Sequence, residues 1–270
     1  MKATVLVDNI SQKEIAGEWG LCIYIAYQGK NILLDTGSSE LFLENAGKLS
    51  RDLKDIDYAV LSHAHYDHAN GMKAFFETNE KATFYLQKGT EENCYMKKWF
   101  FRQYIGIPKG ILEEYKERIQ FAEGDFELCP GVTILPHKTE GLSKIGKRNN
   151  MYIRSRNGWK PDDFSHEQSL VFATEEGLVI FNSCSHGGAD NIINEVKATF
   201  PDKKVKAIIG GFHLYGKPKK EVRELAKRIK NTGIQEVYTG HCTGKKAYRV
   251  LKEELGDMVH QLNVGLEIEL

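Results

Sequence analysis

Ser62-His63-Ala64-His65-Tyr66-Asp67-His68 sets three imidazoles and a carboxylate side by side, directly after the run Asp57-Tyr58-Ala59-Val60-Leu61. That run reads as a buried strand and Asn70-Gly71 as the turn into a helix, which puts the histidines at a strand end. Along an extended backbone alternate side chains share a face, so His63 and His65 can reach one ion. Asp67 and His68, just past the bend, can turn toward a second. Imidazole suits zinc, iron or manganese, and a neighbouring carboxylate hardens the site, so one short loop can serve two ions.

Upstream, Asp35-Thr36-Gly37 follows the hydrophobic run Asn31-Ile32-Leu33-Leu34. With His63-x-His65-x-Asp67-His68 it resembles the metallo-β-lactamase superfamily, and the likeness covers most of the chain. The resemblance implies an α/β protein of αββα type, with two mixed β-sheets between helical layers. It also implies that Asp35 sits behind the ligand loop, where a carboxylate fixes ligand geometry and basicity. Leu34-Asp35-Thr36-Gly37-Ser38-Ser39 is similar to the aspartic-protease signature as well, but that chemistry needs two carboxylates sharing a proton. No second Asp-Thr-Gly or Asp-Ser-Gly occurs in the chain, and a homodimer that supplied one would leave the histidines idle.

Carried over residue by residue, the resemblance implies His63 and His65 on a first metal, and Asp67 and His68 on a second. Three further histidines follow apolar runs beside glycines: His186 in Ser183-Cys184-Ser185-His186-Gly187-Gly188, His213 in Gly210-Gly211-Phe212-His213, and His241 in Thr239-Gly240-His241-Cys242-Thr243-Gly244. A strand end followed by glycines is where α/β sheets place chemistry. The family's bridging acid is missing: Cys184 stands there, followed by His186. Either His186, which is preferred, or a Cys184 thiolate completes that edge. His241 is the expected last ligand. His213 is expected to act as proton donor or substrate contact, and Asp67 to share the catalytic role. His166, in His166-Glu167-Gln168-Ser169-Leu170, is the rival for the third place on the first metal. His137 and His260 lack a glycine-flanked strand end and read as surface or packing residues.

The wider chain sets the bounds. With 270 residues, 41% hydrophobic, it can bury a large core as a single domain over residues 1–270. Alternating strands and helices fill both halves, without a convincing internal repeat, and the less regular stretch at about 87–166 reads as an insertion over the site. Lys+Arg and Asp+Glu both number 37, so bulk charge offers nothing to nucleic acid or membrane surfaces. No apolar run approaches membrane-spanning length and the N-terminus is too short and interrupted for a signal peptide, so a cytoplasmic protein is expected. Five widely spaced cysteines point to reduced thiols.

Cys-Ser-His, Gly-Gly-Phe-His-Leu and His-Cys-Thr-Gly together resemble the branch of the superfamily named for dihydropterin ribofuranosyl-aminobenzene phosphate synthase. The expected function is a hydrolase with two divalent ions, zinc first and iron or manganese as alternatives, activating water toward a small anionic ester or phosphodiester. The alternatives are a pterin-related transferase and a non-catalytic metal or ligand sensor, the last suggested by Cys184 in place of an acid. A small-molecule partner bearing phosphate or carboxylate is expected, with no nucleic acid and no membrane, and a homo-oligomer is left open. Lys144, Lys147, Arg148, Arg154 and Arg156 lie between Lys138 and Lys160 with Glu140 as the only acid, a stretch that could meet such an anion or be a solvated loop. Tyr95, Met96, Trp99, Phe100, Phe101 and Tyr104 read, at helical spacing, as core or dimer contact before lid.

Overall fold

Most central strands are apolar on both faces, so neither face of such a sheet can stay in water; the burial of Ala3–Val7, Leu178–Phe181 and Ala207–Gly210 without a break shows this. The computed structural model describes residues 1–12 and 14–270. In its first part the strands are β1 (Lys2–Val7), β2 (Cys22–Tyr27), β3 (Lys30–Leu34), β4 (Tyr58–Val60), β5 (Thr83–Gln87), β6 (Cys94–Lys98), β7 (Phe101–Tyr104), β8 (Ile119–Ala122), β9 (Phe126–Cys129) and β10 (Val132–Pro136). There follow β11 (Met151–Ser155), β12 (Gly158–Pro161), β13 (Gln168–Thr174), β14 (Gly177–Phe181), β15 (Val205–Gly210), β16 (Glu236–Thr239), β17 (Val259–Gln261) and β18 (Glu267–Glu269). The helices are α1 (Leu41–Lys48), α2 (Tyr66–Ala69), α3 (Met72–Thr78), α4 (Ile111–Glu114), α5 (Leu142–Arg148), α6 (Ala189–Thr199), α7 (Lys219–Asn231) and α8 (Gly244–Leu255).

Two seven-stranded sheets run β18-β1-β2-β3-β4-β5-β8 and β17-β16-β15-β14-β13-β10-β9. Each is antiparallel over three successive pairings and parallel over the other three. The halves thus share a plan that their sequences do not repeat. Ile23, Ile25, Ile32 and Leu34 of the first sheet form one core with Ile134, Phe172, Val179 and Ile209 of the second. The outer face of the first packs on α1 and α3 through Leu33, Phe42, Phe75 and Phe84. That of the second packs on α6, α7 and α8 through Ile180, Ile208, Ile193, Leu225 and Leu251. α7 shows why: Val222, Leu225, Ala226 and Ile229 recur at the spacing that makes one apolar stripe. The result is the αββα sandwich.

The stretch at 87–166 is not one insertion. β8 joins the first sheet, and β9 and β10 join the second, so residues 119–136 belong to the core. What stands outside is a four-stranded sheet, β12-β11-β6-β7. The aromatic segment is correspondingly a hairpin, not a helix face. Its tip leaves Trp99 88%, Phe100 101% and Phe101 60% exposed, which rules out the core reading. At the C-terminal end of the chain, β17 and β18 close the edges of different sheets. No helix among the described residues is long and apolar enough to cross a membrane.

Candidate metal centre

Parallel strands β3 and β4 of one sheet and β14, β15 and β16 of the other lead into the loops that carry Asp35, Ser62–His68, Ser183–His186, Gly211–His213 and His241. Chemistry at the carboxyl ends of such strands follows from the chain reversing there into helices. The backbone is forced as it reverses: Asp35, Ser185, His213 and His241 all take left-handed φ, at 61, 49, 47 and 43°, a conformation that costs energy for residues with a Cβ and concentrates at working sites. Gly210 takes φ +145°, and a Cβ there would stand 2.0 Å from the Asn182 carbonyl oxygen. Only glycine lets the two loops after β14 and β15 approach this closely.

Donor atoms of His63, His65 and His186 lie within 4.8 Å of one another. All three residues are buried, and Nε2 of each has no hydrogen-bond partner among the described residues. Burial, then the neighbouring imidazoles, pushes the His63 and His186 pKa values well down and that of His65 to about 3. These are neutral rings whose lone pairs face one another, an arrangement unfavourable by itself and suited to a shared cation. Beside them His68 Nε2 lies 3.1 Å from His241 Nε2, and Asp67 Oδ2 lies 3.8 and 3.5 Å from those two atoms. Burial would raise the Asp67 carboxyl, but the His68 and His241 imidazoles outweigh it and hold it low. Burial would lower His241, but Cys242 and Asp67 lift it to about 9. This second cluster therefore stabilises positive charge at its centre, as a divalent ion would require.

Cys184 stands between the clusters, its Sγ 3.4 Å from His68 Nε2 and within ligand reach of His186 and His213. The choice posed from sequence, His186 or Cys184, dissolves: the structure brings both to the centre. Burial pushes the Cys184 thiol up, and its Sγ lies 3.3 Å from Cys242 Sγ; all five cysteines are free. His213 is half-buried, its ring 4.5 Å from that of His186, at the wall of a cavity that opens on the centre.

His166 is otherwise engaged. Its Nδ1 accepts the Ala64 backbone N–H at 3.1 Å and its Nε2 meets Asp162 Oδ2 at 3.2 Å, so it braces the ligand loop from behind, while one of its ring nitrogens also lies within 4.8 Å of donor atoms of His65, Cys94 and Asp162. Asp35 does the same for the second cluster. Its carboxylate accepts from Ser62 N (2.7 Å), Ser62 Oγ (2.7 Å), Ser183 Oγ (2.6 Å) and His68 Nδ1 (2.8 Å), which turns His68 Nε2 inward.

Sequence reasoning missed the supports on the opposite wall. Trp19 Nε1 donates to Asp67 Oδ2 at 2.9 Å, Asp8 accepts the His241 backbone N–H at 2.8 Å, and Asn9 Oδ1 meets His241 Nδ1 at 3.1 Å. The one signal for the last two was a polar pair closing an otherwise apolar first strand.

His137 is neither a surface nor an apolar packing residue. Its side chain is buried, with Nε2 3.2 Å from Glu167 and Nδ1 3.4 Å from Glu195, while Glu167 accepts the backbone N–H of His186 at 3.2 Å. His260, by contrast, stacks on Tyr238 with ring centroids 4.6 Å apart. Burial alone would push the His137 pKa down, but Glu167 and Glu195 lift it to about 10. Because the folded value exceeds the unfolded one of about 6.5, this stability is fully present below about pH 6.5 and is lost as pH rises through about 10. The denaturant midpoint should therefore fall between pH 7 and pH 10, and His137→Gln should flatten that fall. An identical slope in the variant would assign the effect to other groups.

Comparisons with known proteins agree with this fold. Residues 20–146 match the family model described as the metallo-beta-lactamase superfamily. A Methanocaldococcus jannaschii protein named 7,8-dihydropterin-6-methyl-4-(beta-D-ribofuranosyl)-aminobenzene-5'-phosphate synthase is 29% identical over 245 residues, 87% of this chain and 83% of that one. The crystal structure of Tm1679, described as a metal-dependent hydrolase of the beta-lactamase superfamily, superposes with a TM-score of 0.85 at 29% identity, over 100% of this chain and 99% of that one. Zn(2+)-bound PqqB from Methylobacterium extorquens shares the fold alone, with a TM-score of 0.61 at 10% identity and full coverage of both chains.

Proposed function

We propose, from the premise that the chain belongs to the metallo-β-lactamase superfamily, that it is a hydrolase holding two divalent ions, zinc foremost, and acting on a small anionic ester or phosphodiester. One observation carries this reading: two adjacent buried clusters present their donor atoms inward, His63, His65 and His186 in one and Asp67, His68 and His241 in the other. The first set would hold one ion and the second set the other, with Cys184 able to reach both. Bound there, such ions supply Lewis acidity and lower the pKa of water toward neutrality.

The chain's own residues do the rest. Asp35 and Trp19 hold His68 and Asp67 in register, so little reorganisation accompanies reaction. His213, at the cavity wall with a buried Nδ1 that has no partner among the described residues, would give a proton to the leaving group. His213→Ala should then keep the metal content of the wild type and lower turnover by about 10²- to 10⁴-fold. Loss of metal in that variant would make His213 a ligand instead.

The decisive test is metal content per chain on protein purified without added metal, with phosphodiester and ester turnover measured before and after chelation. About two ions and turnover that vanishes with chelator and returns with metal supports the hydrolase. The synthase name of the M. jannaschii relative favours a second reading, transfer from a phosphate-bearing donor. That reading gains if simple esters stay intact with metal fully restored.

A further inference from the structure

The cavity of about 700 Å³ that opens on His186 and His213 continues to the end of α5 and the loop before α7. Its wall carries Arg148 and Lys217, and Lys217 Nζ donates to Asn149 Oδ1 at 2.9 Å. Among the described residues neither Arg148 nor Lys217 forms an ion pair with a carboxylate. Lys217 is half-buried, and burial followed by the neighbouring Arg148 guanidinium pushes its pKa down. Glu221 offsets this only in part and forms no ion pair with Lys217, so two like charges side by side favour a bound anion.

The rest of the lining agrees. Of the other cations on the wall, Arg228 pairs with the buried Asp190 at 2.7 Å and Lys220 is solvent-exposed. Glu221 and Glu224 also border the cavity but are solvent-exposed, where water screens them. α6 begins at this cavity behind Gly187 and Gly188, and no side chain caps it, which leaves its first-turn N–H groups without side-chain acceptors.

We propose that this cavity is an anion subsite that seats a phosphate monoester of the substrate on Lys217, Arg148 and Asn149, while the bond to be broken lies beside His213. Asn149 uses its oxygen on Lys217, so its Nδ2 remains as a donor to the same anion. A phosphate dianion matches the two cations in charge and offers enough acceptors for a planar guanidinium, an ammonium and an amide together. A carboxylate would leave one positive charge uncompensated. The position of the reacting bond rests on the hydrolase reading; the seating of the anion does not.

Calorimetric titration of the full-length, metal-loaded protein with phenyl phosphate and with benzoate tests this, using wild type, Lys217→Met, Arg148→Met and Lys217→Arg. Phenyl phosphate should bind wild type at least about tenfold more tightly than benzoate, and each methionine variant should lose about 10- to 100-fold, the worth of one charged hydrogen bond. Lys217→Arg should retain most of the affinity, and circular dichroism and metal content should match wild type throughout. Unchanged phenyl phosphate affinity in both methionine variants would place the anion on the metals and overturn the subsite. Equal affinity for benzoate would overturn the phosphate assignment. Wild-type turnover of bis(p-nitrophenyl) phosphate, which has no monoester, separates the two readings. Turnover without any loss in the variants rejects the subsite and keeps the hydrolase, and loss in the variants without turnover does the reverse.

Discussion

His65→Ala is expected to empty the first metal position and abolish turnover. His65 is 4% exposed, its Nε2 has no hydrogen-bond partner among the described residues, and it shares a space within 4.8 Å with His63 and His186. Three protein ligands are what a catalytic zinc position ordinarily has. Loss of one should cost more than the roughly 10- to 100-fold typical of an outer-shell partner, so a fall in turnover of about 10³-fold or more is expected. Because the ring is held neutral by burial and by His166, its removal deletes a lone pair and no structural ion pair. The fold should survive. Elemental analysis should find close to one ion per chain in the variant against about two in wild type. A variant with the wild-type metal content and turnover would remove His65 from the site.

The largest stability effect is expected at Asp35. Its carboxylate is fully buried and accepts from four donors contributed by Ser62, Ser183 and His68. Ser183 lies in the second half of the chain, so this one residue ties the two sheets together under the metal centre. Asp35→Ala would leave buried donors without an acceptor, and although the two hydroxyls can turn elsewhere, a loss of about 3–5 kcal/mol is expected. The left-handed backbone at Asp35 (φ 61°) is one that asparagine also tolerates. Asp35→Asn therefore separates conformation from charge, with about 1–3 kcal/mol lost and metal affinity reduced about 10- to 100-fold. Chemical denaturation and competitive metal titration read the two effects separately. If Asp35→Ala unfolds at the wild-type midpoint, the carboxylate does not tie the two sheets together.

Much of the fold was legible because its signals are local. The run before His63 and the apolar runs in Cys22–Tyr27 and Lys30–Leu34 announce strands, and the spacing of Val222, Leu225, Ala226 and Ile229 announces a helix. The stretch at 87–166 was harder, since β8, β9 and β10 are four or five residues long and owe their place to partners in other parts of the chain. The aromatic segment misled for a related reason: Met96, Phe100 and Tyr104 fit a helical stripe, but a two-residue turn at Trp99-Phe100 makes the segment a hairpin.

What the amino-acid sequence determined by itself is the ligand loop Ser62–His68 and the kinds of atom it offers, because four donors within six residues are held together by chain connectivity whatever the rest does. What only the tertiary structure decided is which distant groups meet that loop. His186 and His241 complete the clusters, Cys184 joins them, His166 meets Ala64 and Asp162 behind the loop, and the His137 side chain is buried between Glu167 and Glu195. Each of these depends on two sheets packing face to face and on strained turns at their ends. Residue spacing carries no record of such contacts, since they follow from the free energy of the whole core.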